Sequence, residues 1–269
     1  MNHFPQVASI IMAAGRGSRM KGYEGNKTLL PLIAADNPYE GTSPILRHVL
    51  YNLPPGPNAL VVNHCKENVI AATRDIEVTY CEQPELNGTG GAILAAGDFI
   101  RRQDAETCFI VTMGDVPFVQ ASTYARLVQG LESVELMVLG FAPKDKKKYG
   151  VLEIENEQVR KITEWQYWKE YSVDLQDRLN VCNSGIYAMR KQILTEYLPV
   201  LASRPQIVYK EINGRQTAIK EYFITDLIEY MVEDGRNVGY LVAENELETM
   251  GVDDVDALKK AQAHYRSGI

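Results

Sequence analysis

The chain has 269 residues and a formal net charge of −7, with 28 Lys and Arg against 35 Asp and Glu. That length can bury a core without disulfides or metals to staple it, and that charge argues against nucleic acid, because duplex binders present a basic face. No apolar run approaches a membrane span or a signal segment, so a cytoplasmic protein with no membrane partner is expected.

Any anionic substrate must then be held by locally concentrated Arg and Lys, and the first such place lies near the start. An apolar run over 7–14 predicts a strand leading into Ala13-Ala14-Gly15-Arg16-Gly17-Ser18-Arg19-Met20, with Lys27 and Leu29-Leu30-Pro31 beyond. Small residues at a strand end bring backbone N–H groups to one point, which suits a polyphosphate. Arg19 and Lys27 add one planar and one compact positive charge. Neither common phosphate motif is present: a dinucleotide fingerprint needs glycine at Met20, and a P-loop needs glycine at Asn26. A tight turn with two solvated cations is the plainer alternative, but turns do not require this spacing of Arg19, Lys27 and the Leu-Leu-Pro run.

A helix is predicted from Pro44, a second strand over 59–63, a short helix over 69–74 and a third strand over 76–81. Gly88-Thr89-Gly90-Gly91 opens an Ala-rich helix over 92–100 and supplies further backbone donors at its N-terminus. The apolar run 108–113 predicts a fourth strand ending in Gly114-Asp115-Val116-Pro117. Ligands of open α/β sheets lie beyond the carboxyl ends of the strands, which puts Asp115 in one crevice with Gly15 and Gly17.

Further on come a strand over 136–142, the charged loop Lys144-Asp145-Lys146-Lys147-Lys148, a hairpin over 150–154 and 159–164, and a strand over 183–189. A helix over 225–234 with Thr225 as its cap, a strand over 239–243 and a helix from about Val255 close the chain. This alternation predicts one α/β domain with a mainly parallel sheet and two lobes, without linker or repeat. The lysine run reads as a solvated loop rather than a phosphate-steering patch. Trp165, Tyr167, Trp168 and Tyr171 read as a satellite core, a stacking platform for a sugar or base being the alternative. Cys65, Cys81, Cys108 and Cys182 lack C-x-x-C spacing and read as small buried thiols. His3, His48, His64 and His264 have no metal-ligand spacing.

Taken in order, several segments resemble the sugar-1-phosphate nucleotidylyltransferases, most closely the uridylyltransferase domain that makes UDP-N-acetylglucosamine. They are the first loop with Lys27, Glu82-Gln83 with Gly88-Thr89-Gly90, Gly114-Asp115-Val116-Pro117, Tyr149-Gly150, Glu164, Asn183-x-Gly185-Ile186-Tyr187, Glu221-Tyr222-x-x-Thr225-Asp226 and Gly251-Val252-Asp253. The resemblance covers nearly the whole chain. It implies an α/β fold of three layers, an α/β/α sandwich around a mixed, mainly parallel sheet, the nucleotide-diphospho-sugar transferase variant of the Rossmann plan. Residues 1–269 would form one domain, with a nucleotide-binding lobe over about 1–134 and a sugar-binding lobe over about 135–269.

The same resemblance implies residue roles that side-chain chemistry supports. Ala13, Ala14, Gly15 and Gly17, with Arg19 and Lys27, would hold a triphosphate. Gln83 suits the imide edge of uracil, and Gly88 and Thr89 allow backbone approach to that base. Asp115 and Asp253 would hold Mg²⁺, which prefers hard oxygen ligands. Gly150, Glu164 and Asn183 would contact the sugar. The expected reaction is attack by a sugar-1-phosphate on the α-phosphorus of UTP, with Arg19, Lys27 and Asp115 as the catalytic groups. Two other readings stay open: a CTP-dependent cytidylyltransferase acting on phosphocholine or another phosphorylated small molecule, and a non-catalytic nucleotide-sugar regulator. The sequence departs from the pattern at Met113, where tyrosine is common, and in a longer, more aromatic stretch between Glu164 and Asn183, which leaves the sugar open. The hexapeptide-repeat acetyltransferase domain of the bifunctional members does not follow in this sequence, so no acetyl-CoA chemistry is expected of it. No heptad or apolar stripe speaks to oligomeric state.

Overall fold

The run of apolar residues after Gln6 becomes the centre of a sheet in the computed structural model, which describes residues 6–17, 19–20, 22–212 and 215–268. His3 and Ser18 lie outside the described residues. In chain order the elements are β1 (Val7–Met12), β2 (Pro31–Ala34), β3 (Gly41–Pro44), α1 (Ile45–Asn52), β4 (Asn58–Val62), α2 (Lys66–Thr73), β5 (Thr79–Glu82), α3 (Gly88–Ala95), α4 (Gly97–Arg102), β6 (Cys108–Met113) and α5 (Ala121–Gly130). They are followed by β7 (Leu136–Phe141), β8 (Val151–Glu155), β9 (Gln158–Thr163), α6 (Trp165–Trp168), α7 (Val173–Arg178), β10 (Cys182–Arg190), α8 (Lys191–Ser203), β11 (Gln206–Ile212), β12 (Arg215–Glu221), α9 (Ile224–Glu233), β13 (Val238–Val242) and α10 (Val255–Ser267).

The main sheet runs β13-β7-β10-β6-β1-β4-β5, with β8 and β9 added at the start of β10. Along that seven-strand order the pairings are parallel except where β10 lies antiparallel between β6 and β7, and the added β8 and β9 are antiparallel, so the sheet is mixed with a mainly parallel centre, as expected. Alternation along β1 divides the core: Ile10 faces Ile93, Phe99, Leu194 and Leu227, from α3, α4, α8 and α9. Ile11 faces Leu46, Tyr124, Leu127 and Leu258, from α1, α5 and α10. Helices therefore cover both faces, which gives the three layers.

Several local expectations are corrected. The helix expected over 92–100 is two helices, α3 and α4: Ala96 shares its N–H between the carbonyls of Ala92 and Ile93, and the chain turns before Gly97. Thr225 does not cap α9. Phe223 stands at that position without a side-chain cap, and Thr89 Oγ1 accepts the Ile224 N–H at 3.1 Å instead. The third strand begins at Thr79 rather than residue 76, because Ile76 is still bonded to Thr73 at the end of the preceding helix.

Trp165, Trp168 and Tyr171 of the aromatic segment form a satellite core, whereas Tyr167 points out of it and is exposed. Trp168 is buried with Phe141, Val151, Leu179 and Cys182, and its Nε1–H donates to the Tyr149 carbonyl at 2.8 Å. The lysine run is only partly solvated, since Lys146 lies 5.1 Å over the Trp168 ring and Lys148 4.8 Å over that of Trp165. Cys81, Cys108 and Cys182 are buried and Cys65 is half-buried; all four are free thiols. Among the described residues no helix is long and apolar enough to cross a membrane.

Candidate active site

The loop after β1 is positioned by one buried amide. Asn26 is 1% exposed. Its Nδ2 donates to the carbonyls of Ala13 (2.7 Å) and His64 (2.9 Å), and its Oδ1 accepts from the Thr28 N–H and hydroxyl. The residue that spoils a P-loop reading therefore braces the whole turn and fixes the next residue, Lys27. Gly17 sits at φ +61°, and a Cβ there would press on the Lys27 side chain at 3.2 Å. Ala13 stands behind the cleft wall rather than in it: it is fully buried, its N–H bonds Val61 and its carbonyl is taken by Asn26.

Lys27 reaches between two carboxylates. Its ammonium bonds Asp115 Oδ2 and also Asp253 Oδ1, the latter at 2.7 Å, and Arg19 Nη2 lies 3.4 Å from the same Asp253 oxygen. Asp115 follows β6 directly, and its carbonyl accepts the Val252 N–H at 2.9 Å, which brings Asp253 across from the far end of the chain. Burial opposes charge on Lys27, but Asp115 and Asp253 outweigh it and raise the ammonium above its ordinary pKa. Burial likewise opposes charge on Asp253, and Lys27 followed by Arg19 holds that carboxyl below the usual range.

The pair fits a hard divalent cation. Lys27 holds Asp115 Oδ2 and Asp253 Oδ1, and a Cβ built on Gly251 would lie 4.0 Å from that same Asp115 oxygen and 3.8 Å from the second Asp253 oxygen, Oδ2, so both carboxylates border one small space beside Gly251. Among the described residues there is no cluster of three or more His, Cys, Asp or Glu able to hold a metal. Two carboxylates with room for substrate oxygens and waters suit Mg²⁺ better than a closed cage.

A cavity of about 510 Å³ joins this centre to the second glycine segment. It is lined by Ala14, Gly15, Gly17, Arg19, Lys27, Gln83, Gly88, Thr89, Asp115 and Asp253, so ten residues expected at the site meet in one place. Gln83 is buried, with its Nε2 donating to Asn87 Oδ1 (2.9 Å) and the Gly88 carbonyl (3.1 Å). Gly88 sits at φ +93°, and a Cβ there would lie 2.4 Å from the Tyr222 carbonyl oxygen. The backbone of Tyr222 is bonded to Asn87 and Gly90, each at 2.8 Å.

Gly150, Glu164 and Asn183 form a separate group. The Asn183 N–H donates to the Gly150 carbonyl at 2.8 Å, and a Cβ on Gly150 would lie 3.3 Å from both Glu164 carboxylate oxygens. Burial, then the neighbouring charge of Asp226, pushes the Glu164 carboxyl above its ordinary range. Gly185, bonded to Asn183 Oδ1, approaches Met113, which lines the cavity and so links the two groups. Missed in the sequence were Asn26 as a brace, and Arg16, Lys210, Glu221 and Phe223 as lining residues. Asn213-Gly214, a hairpin-turn dipeptide between two short stretches with β-branched residues, could have found the strands that carry Lys210 and Glu221.

A mixed sheet whose strand ends carry a glycine loop facing paired carboxylates belongs to the nucleotidyltransferases. Residues 9–178 match the MobA-like NTP transferase domain, and the chain is a member of that family. It is 31% identical over 266 residues to the bifunctional protein GlmU of Ruegeria sp. (strain TM1040), covering 97% of this chain and 53% of that protein. Against the bifunctional protein GlmU of Wolbachia sp. subsp. Brugia malayi (strain TRS) it is 29% identical over 260 residues, 96% of this chain and 57% of that one. The chain thus spans about half the length of these relatives. Among solved structures, a candidate UDP-N-acetylglucosamine pyrophosphorylase from Entamoeba histolytica superposes with a TM-score of 0.72 at 16% identity, over 97% of this chain and 81% of that one. HddC from Yersinia pseudotuberculosis, complexed with GMP-PN, gives 0.61 at 16% identity over 96% and 99%. At such identities the likeness is one of fold, and it is the nucleotide-diphospho-sugar transferase fold that the sequence segments imply.

Proposed function

We propose that the protein transfers a nucleotidyl group from a nucleoside triphosphate, UTP being favoured, to a sugar-1-phosphate, releasing pyrophosphate with the help of Mg²⁺. One observation carries the reading: Asp115 and Asp253 converge on the half-buried Lys27 ammonium directly beside the Gly15–Gly17 loop, in a cavity large enough for a nucleotide. N-acetylglucosamine-1-phosphate is the acceptor suggested by the sequence resemblance to the uridylyltransferase domain that makes UDP-N-acetylglucosamine and by the likeness to a candidate UDP-N-acetylglucosamine pyrophosphorylase. Family membership favours catalysis over a regulator.

An oxygen of the acceptor phosphate forms a bond to the α-phosphorus, and the bond to the oxygen bridging α and β breaks with its electron pair leaving on pyrophosphate. A phosphate monoester, with a second pKa of about 6, is already ionised at neutral pH. No general base is required, which agrees with scattered histidines. Mg²⁺ held by Asp115 and Asp253 would neutralise phosphate charge. Gly15 and Gly17 let the phosphates approach the backbone, and Arg19 and Lys27 offset the charge that builds on the leaving group. Gln83, its amide nitrogen bound to Asn87 and Gly88, offers its carbonyl oxygen to a base N–H, as on uracil. Glu164 and Asn183 would orient sugar hydroxyls or an acetamido group.

The test is a panel of nucleoside triphosphates against sugar phosphates and phosphocholine, read as pyrophosphate release with and without Mg²⁺. UTP with a sugar-1-phosphate should be preferred; turnover only with CTP and phosphocholine would overturn the specificity. Asp115→Ala should lower kcat by about 100-fold or more. Wild-type turnover in that variant would refute the site.

A further inference from the structure

The strands β11 and β12 pair with each other along their full length as an arm beside the cleft. Its root is bonded to the site: the Tyr222 N–H donates to the Asn87 carbonyl, and Gln206 Nε2 donates to Asp226 Oδ1 at 2.7 Å. Lys210 on the arm lines the cavity, and its ammonium bonds Glu221 Oε1. The two partners differ in exposure, the Lys210 side chain being 51% exposed and that of Glu221 8%.

Four cationic residues among those described line the cavity: Arg16, Arg19, Lys27 and Lys210. The first three come from one loop, whose Met20 and Leu30 pack into the core on the α1, α5 and α10 face of the sheet. Lys210 comes from the other side, on an arm between α8 and α9, whose Leu194 and Leu227 pack on the opposite face. Phosphoryl transfer requires the attacking and leaving oxygens to lie roughly in line on opposite sides of the phosphorus. If the first loop holds the pyrophosphate end, the acceptor arrives from the wall that carries Lys210.

We propose that Lys210 binds the phosphate of the acceptor, an inference that rests on the nucleotidyl-transfer reading above. An acceptor dianion approaching a triphosphate is repelled unless a cation meets it, and Lys210 is the one cationic residue described on that wall. Its bond to Glu221 keeps the ammonium aimed at the cleft before the acceptor enters. When Lys210 turns to the phosphate, Glu221 is left nearly buried and must take a donor, which a sugar hydroxyl supplies. The pair therefore selects a hydroxylated phosphate monoester over a phosphate without neighbouring donors.

The test measures pyrophosphate release with UTP and N-acetylglucosamine-1-phosphate, varied in turn, for the wild type, Lys210→Met, Lys210→Arg and the swapped pair Lys210→Glu with Glu221→Lys. Lys210→Met should raise the acceptor KM about tenfold to a hundredfold, the range of a lost charge-assisted hydrogen bond. The KM for UTP should change less than the acceptor KM, since the triphosphate is held by Arg16, Arg19 and Lys27 of the first loop. Lys210→Arg should recover most of the acceptor KM, whereas the swapped pair, which restores the ion pair but moves the cation, should not. An unchanged acceptor KM in Lys210→Met, or full recovery by the swapped pair, overturns the role of Lys210 and leaves the transfer reading standing. A wild type that releases no pyrophosphate with any nucleotide and sugar phosphate overturns both.

Discussion

Lys27 is held by two carboxylates of unlike exposure, the Asp115 side chain at 6% and that of Asp253 at 33%. Removing the ammonium as Lys27→Met leaves the carboxylates facing one another in a partly buried place. Breaking a buried pair costs about 3–5 kcal/mol, and the exposure of Asp253 reduces this to about 2 kcal/mol at neutral pH. The pH dependence has a definite sign. Asp253 has its folded pKa depressed, so its contribution is present above the ordinary carboxylate range and is lost as pH falls through the lower folded value. Lys27 has its folded pKa raised, so its contribution is full below the ordinary lysine pKa and is lost as pH rises through the higher folded value. Urea unfolding should therefore show Lys27→Met less stable than wild type at pH 7, with the gap narrowing as pH falls below the ordinary carboxylate range and through the lower folded value of Asp253. A gap of constant size across that fall would mean that the lysine stem, not its charge, supplies the stability.

Among the elements, α9 begins with a borrowed cap. Thr89, on the first turn of α3, accepts the Ile224 N–H and so ties the glycine segment of the nucleotide side to the helix behind the arm. Thr89→Ala should cost about 1 kcal/mol in denaturant unfolding, the usual value of a side-chain cap. An undiminished midpoint would show that water replaces the hydroxyl. That cap was not legible, because the sequence offers Thr225 at the right distance from the apolar stripe and says nothing of a partner 135 residues away. By contrast β1, β4, β6 and β7 were legible, since strands buried on both faces write themselves as continuous apolar runs, and β10 and the half-buried edge strand β13 were legible from shorter apolar runs. Asp115 followed from its strand, whereas Asp253 sits in a loop that no periodicity marks and was reached through family resemblance alone. The arm escaped because its solvated strands, with Tyr209 and Ile207 exposed, carry no buried run.

For the molecule as a whole, both helix layers seal the sheet and with it three of the four thiols. Burial pushes Cys81 and Cys108 above the ordinary thiol range and Cys182 to about 11, whereas Cys65, at φ +52° ahead of α2, is half-buried beside His64. Because the thiolate is the reactive form, alkylation of the native protein at pH 8 should label Cys65 about 100-fold faster than the others, with Cys182 among the slowest, as read by peptide mass spectrometry. Comparable rates at all four would mean that the layers open readily. The winding of the sheet also has a consequence for a chain emerging from the ribosome. β6 and β7 are successive strands, yet β10, made some forty residues later, must wedge between them in reverse. Until residue 190 has been synthesised, two apolar strands wait with unsatisfied edges, open to pairing with any other nascent chain. The strand that fills this gap also carries Asn183 to the Gly150 carbonyl, so the second group of the site is put in place as the inner edges close, while the outer edge of β7 waits for β13.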